Sequence, residues 1–219
     1  MEKPVTLDAP LTSLPGIGPQ RAALFARLNV RTVGELLRLY PRTYEDRTRL
    51  VSIASLEAGT PACFEAAVVT TPRTNRIPKP GSRMLEVTKF TVADDTGRLN
   101  LTFFNAAHSA GALRVGERYC FYGVLTGDFA AYGMTNPLFE PCDGPAHVTR
   151  RILPVYPLTA GLTNSMVLRA QAQAVSRCAG LLPETLPPEL LRRYGLCGAA
   201  EACREIHCPT SAAALGRAQ

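Results

Sequence analysis

The stretch Asp94-Asp95-Thr96-Gly97-Arg98-Leu99-Asn100-Leu101-Thr102-Phe103-Phe104 reads as a hairpin turn running into a strand. Its first four residues carry turn chemistry. Leu99, Leu101 and Phe103 then alternate with polar positions, the two-residue period of a half-buried strand. Upstream, Phe64, Ala66 and Val68 alternate; Leu85 and Val87 alternate later, and Phe90 and Val92 resume one residue out of step, which predicts a β-bulge. Downstream, Asn105 to Leu113 is helix-like, and Tyr119 to Thr126 and Phe129 to Phe139 read as two more strands around Gly127-Asp128. Three strands, a short helix and two strands is the order of the five-stranded Greek-key OB barrel, whose face and loops bind oligonucleotides.

Helical punctuation flanks the barrel. After Leu14-Pro15-Gly16-Ile17-Gly18-Pro19 come two short helices, Arg21 to Leu28 and Thr32 to Tyr40, closed by Pro41. Arg150 to Leu158 is too proline-rich for a helix or a central strand and reads as an extended strap. Asn164 or Ser165 caps a helix through about Leu181. Pro183, Pro187 and Pro188 bound a second through Tyr194, a third spans Ala199 to Ile206, and no element is read beyond it. The expected architecture is α+β: a helical segment with a helix-hairpin-helix-like turn over 1–58, the OB barrel over 59–145, and a strap with short helices over 146–219.

Several function classes are excluded by what the 219 residues lack. No run approaches the roughly 20 apolar residues of a membrane span, and Met1-Glu2-Lys3-Pro4 does not open a signal peptide. Seven cysteines, an odd number without Cys-x-x-Cys, argue against a disulfide framework or a zinc ribbon and for the reduced thiols of a cytoplasmic protein. The only lysines are Lys3, Lys79 and Lys89, and none stands in Gly-Lys-Ser/Thr, so there is no P-loop. The nucleophile elbow, zincin and EF-hand signatures are also missing, and no catalytic residue is nominated. The net charge of +6 is carried almost wholly by arginine. That leans toward phosphate and base recognition, although a high-GC coding bias enriches arginine too.

Three constellations point to nucleic acid. In Leu14 to Ala22, Gly16 and Gly18 allow backbone N–H groups to approach a phosphate at a helix start, with Arg21 beside them; the same residues also fit a tight turn between packed helices. Thr71 to Arg83 holds Arg73, Arg76, Lys79 and Arg83 without an acid, as a loop between the first two barrel strands, where OB folds grip nucleic acid. A solvated basic loop is the alternative. If Leu99, Leu101 and Phe103 point inward, Phe104 points outward, where it can stack on a base; a one-residue register slip would pack it under the following helix instead. His108 shares its face if Asn105 starts that helix. Cys197, Cys203, His207 and Cys208 match no common zinc spacing, so thiols packing short helices, and no metal, are expected.

Leu14 to Pro19 with Ala22, Val33-Gly34-Glu35-Leu36-Leu37 and Tyr40 to Arg47 closely resemble the opening of the bacterial RecG family of ATP-dependent DNA helicases. Phe103-Phe104-Asn105, Pro154 to Leu162 and Ile206-His207-Cys208-Pro209 extend the resemblance over about residues 11–219. It implies the wedge domain, an OB fold that binds branched DNA (replication forks and Holliday junctions) in repair and recombination, while two RecA-like motor domains pull duplex with ATP and Mg. Those motors are not among these residues, so the expectation is a fragment or a truncated reading frame, with no cofactor and no enzymatic activity of its own. The resemblance places Phe104 at the branch point and a second aromatic four residues on, where this chain has His108, a weaker stacker; the family phenylalanine before the late proline is Cys208. Branched DNA is the implied partner of a monomer, with single-stranded-DNA-binding protein as a further one. An OB module that binds protein and not DNA is the rival reading.

Overall fold

The computed structural model describes residues 5–78, 84–127, 132–144 and 146–219. Along the chain lie α1 (Pro19–Ala26), α2 (Val33–Leu37), β1 (Thr43–Asp46), β2 (Leu50–Val51), β3 (Pro61–Val68), β4 (Arg73–Ile77), β5 (Leu85–Ala93), β6 (Arg98–Phe104) and α3 (Ala107–Ala110). They are followed by β7 (Arg118–Thr126), β8 (Gly133–Thr135), β9 (Leu138–Pro141), β10 (Ile152–Val155), α4 (Asn164–Cys178), α5 (Pro188–Tyr194), α6 (Ala199–His207) and α7 (Ala212–Ala218). Two units result: Asp46–Arg151 form one, and the described residues up to Glu45 form the other together with Ile152–Gln219.

In Asp46–Arg151 the alternating apolar residues close a barrel. Phe64, Val68, Phe90, Leu101, Phe103 and Phe121 share one core. β5 and β6 pair antiparallel, β8 runs parallel to β6 and antiparallel to β7, and β3 returns to β7 to close the ring. Phe64 and Phe121 sit opposite each other in register with ring centroids 5.4 Å apart. β8 approaches β6 so closely that a Cβ on Gly133 would lie 2.9 Å from the Asn100 carbonyl oxygen, so only glycine fits there. The last barrel strand is split: between the pairs Leu125↔Met134 and Tyr122↔Leu138 the β8–β9 side carries one extra residue, with Asn136 in the left-handed region at φ 46°.

Three expectations for this unit need correction. The β5–β6 pairing runs unbroken from Val87↔Phe104 to Ala93↔Arg98, so the bulge is not there. Thr88 takes the inward position, its hydroxyl bonded to that of Thr74 at 2.7 Å, and this polar insertion is what breaks the apolar period. Residues 73–77 form strand β4, paired with β5, and not a loop. All five side chains are exposed, so no alternation marks the strand; the backbone ladder and polar cross-strand pairs make it. The helix expected over 105–113 shrinks to α3, because Asn105 turns through φ 51° to bond the Glu86 carbonyl at 2.8 Å.

The other unit buries Leu14, Phe25, Leu36, Tyr156, Val167 and Cys178 in its own core. α2 begins with a capping box in which Thr32 and Glu35 satisfy each other's backbone N–H groups. Thr163 caps α4, one residue earlier than expected, and the helix ends at Cys178 in a 3-10 turn over Ala179–Leu181. The strap contains β10, which pairs only with β1 among the described residues; a two-stranded edge tolerates Pro154. α7, unread in the sequence, is capped by Ser211 accepting from Ala214 N–H. Its short alanine-rich span offers little apolar contrast to read.

Candidate nucleic-acid interface

Strand alternation fixes the outer face of the barrel. Leu99, Leu101 and Phe103 are buried, so Asn100, Thr102 and Phe104 point out, and Phe104 is 38% exposed. Register places Thr91 beside Asn100, Lys89 beside Thr102 and Val87 beside Phe104, while Arg73 lies beside Lys89 on the far side. Arg73, Lys89, Thr91, Asn100 and Thr102, with Thr135 and Tyr132, line a groove of about 700 Å³ that contains no carboxylate among its described lining residues; Val87 and Phe104 lie beyond it on the same face. Neither Arg73 nor Lys89 has an ion-pair partner among the described residues. The groove therefore offers two free cations and a row of hydroxyl and amide groups, a lining suited to a phosphodiester chain.

Phe104 continues the outer row of Asn100 and Thr102, and its backbone is held from both sides. Its N–H donates to Asn136 Oδ1 at 2.8 Å, and the following Asn105 exchanges hydrogen bonds with Glu86. Asn105 and Asn136 both adopt φ values open mainly to glycine and asparagine, so the two turns aim the ring without burying it.

The remaining nominated residues are distributed as follows. Arg76, three residues from Arg73, falls on the opposite face of the strand and pairs with Glu86 at 3.1 Å. Lys79 and Arg83 lie outside the described residues. His108 is exposed on α3, but the helix starts after Asn105, so the helical i, i+4 relation to Phe104 does not exist. Gly16, Gly18 and Arg21 belong to the other unit. Gly16 sits at φ 79° and needs to be glycine, whereas Gly18 is at φ −83° with open space around it. The Arg21 guanidinium folds back onto the Gly16 carbonyl at 2.6 Å and shares a depression of about 520 Å³ with Arg169. Sequence reading missed Lys89, Thr91, Asn100 and Tyr132; for the first three, their alternation with buried apolar residues carried the signal.

The C-terminal cysteine and histidine cluster resolves into packing. His207 is buried, with Nε2–H donating to the Leu37 carbonyl and Nδ1 accepting from the Tyr156 hydroxyl, both at 2.8 Å. Burial lowers its pKa, and both nitrogens are committed, so it is no metal ligand. The Tyr44 hydroxyl bonds the adjacent Ile206 carbonyl at 2.9 Å. The motifs around Tyr44, Tyr156 and His207, far apart in sequence, thus meet in one core.

A closed five-stranded barrel with its helix between the third and fourth strands and a polar, cationic outer groove is an OB fold. The model of the RecG wedge domain family matches residues 11–177, and the chain belongs to that family. The ATP-dependent DNA helicase RecG of Escherichia coli strain K12 is 33% identical over 215 residues, covering 93% of this chain and 29% of its own length. The Synechocystis RecG is 28% identical over 230 residues, covering 98% and 27%. A solved structure of RecG bound to a three-way DNA junction matches with a TM-score of 0.86 at 24% identity, covering 100% of this chain and 29% of that one. The chain thus spans less than a third of the length of these relatives. No helix among the described residues is long and apolar enough to cross a membrane. No lysine of the chain stands in the Gly-Lys-Ser/Thr triplet of a P-loop.

Proposed function

We propose that this chain binds branched DNA, such as forks and Holliday junctions, as the wedge of a RecG-like helicase acting in repair and recombination. One observation supports the reading: a groove with Arg73 and Lys89, and no carboxylate among its described lining residues, lies on the outer sheet face that also carries an exposed aromatic held by two asparagine turns. The cations would track phosphates, and Phe104 would stack on a base unpaired at the branch. His108 stands exposed near the end of the same strand as a weaker second platform. In the helical unit, the Gly16–Arg21 turn would take a further phosphate once Arg21 released the Gly16 carbonyl.

Junction affinity measured by fluorescence anisotropy across a salt series tests the phosphate contacts. The log–log slope should flatten by about 0.7–0.9 for each of Arg73→Ala and Lys89→Ala. Arg76→Ala, on the other face and paired to Glu86, should leave it nearly unchanged. An unaltered slope in the Arg73→Ala, Lys89→Ala double variant would place the DNA elsewhere.

A further inference from the structure

On the barrel face of β3, β7 and β9, three donors from distant parts of the chain converge. Glu65 and Cys120 are direct cross-strand partners, and Cys142 follows β9, where its N–H reaches the Arg118 carbonyl beside Cys120. The Sγ atoms of Cys120 and Cys142 lie 3.6 Å apart, and Cys120 Sγ lies 3.4 Å from Glu65 Oε1; all three ligand atoms are within 4.8 Å of one another. A tetrahedral zinc ion with Zn–S of about 2.3 Å and Zn–O of about 2.1 Å has S···S edges of about 3.8 Å and S···O edges of about 3.6 Å. The two edges that meet at Cys120 already lie within a few tenths of an ångström of those values, and the third, between Cys142 and Glu65, is within 4.8 Å.

We propose that Glu65, Cys120 and Cys142 form a binding site for a borderline-soft divalent cation, zinc, with the fourth position taken by water. Binding would release the two thiol protons and tie three strands of the barrel together. Glu65 is already oriented to serve as a ligand, since Oε1 faces the thiols while Arg118 lies 3.7 Å from Oε2, a partner of the kind that holds a ligating carboxylate in place. Glu140, opposite Cys120 in register, does not compete, because its oxygens accept from Thr149 and from the N–H groups of His147 and Val148. Cys142 and Glu65 are only half-buried, which leaves the ion a way in from solvent. No local spacing betrays the site, since its members stand 55 and 22 residues apart.

Cobalt(II) titrated into the reduced, chelator-treated 219-residue chain tests the proposal. One equivalent should bind with a thiolate-to-cobalt charge-transfer band and tetrahedral d–d bands, and zinc should displace it. Cys142→Ser should lose most of the charge-transfer intensity, and Glu65→Gln should weaken binding at least about tenfold. Both changes fall at half-buried positions, so wild-type circular dichroism in the variants would separate lost ligation from lost fold. Failure of the wild type to bind cobalt overturns the site. So does a spectrum unchanged in both variants, which would place the metal on other cysteines. A Cys120–Cys142 disulfide in the isolated chain that takes up no cobalt after reduction would show a redox pair in place of a metal site.

Discussion

Phe104→Ala should bind a three-way junction about 5- to 150-fold more weakly, the equivalent of about 1–3 kcal/mol for one stacked base, while binding to plain duplex is unchanged. A duplex has no unstacked base to offer the ring, so the loss should be confined to branched and single-stranded substrates. The side chain is on the outer face, 38% exposed and outside the barrel's core cluster, with Val87 as its cross-strand partner, so the cost to stability should be about 1 kcal/mol, the scale of one cross-strand pair. Anisotropy titrations on junction and duplex at one salt concentration, with a urea unfolding curve, measure all three quantities. Equal weakening on both substrates, or a large fall in stability, would make Phe104 a packing residue.

Glu140→Gln should cost the barrel about 2–4 kcal/mol at neutral pH, because hydrogen bonds to a charged acceptor are the stronger kind and an amide would turn its own donor toward donors left without a partner. The Glu140 carboxylate accepts backbone N–H groups from His147, Val148 and Thr149 at 3.0 Å and also bonds the Thr149 hydroxyl, so it fastens residues 147–149 to β9. Burial alone would raise the carboxyl pKa, but the Thr149 hydroxyl and the three backbone donors outweigh it and hold the value below the ordinary one. A depressed folded pKa contributes stability that is full above the unfolded value of about 4.3 and is lost as pH falls through the folded value. Urea midpoints of wild type and variant should therefore differ at pH 7 and converge in acid. A gap that stays constant with pH would assign the effect to packing.

The barrel was legible because its inward residues obey a strict two-residue period. Leu99, Leu101 and Phe103 gave the register that exposes Phe104, and that register holds. The period failed where a polar side chain moved inward with a partner, as Thr88 does with Thr74, and where a strand has no buried face, as in β4. The assumption that Arg73 and Arg76 act as one loop patch failed for the same reason, since a strand sends them to opposite faces. The groove was invisible because it depends on which strands pair: Lys89 meets Arg73 and Thr102 only through the ladder. Convergence of the Tyr44, Tyr156 and His207 motifs likewise needs contacts across most of the chain, which no local pattern encodes.

Competition for a labelled three-way junction, by unlabelled junction against unlabelled duplex of the same length and at the same salt, tests the central claim most directly. If the groove and Phe104 recognise the branch, duplex should compete at least about tenfold less well, the roughly 1.4 kcal/mol that a single stacked base supplies. Equal competition would reduce the binding to phosphate attraction without a wedge, and no binding to any DNA would favour a protein-binding OB module.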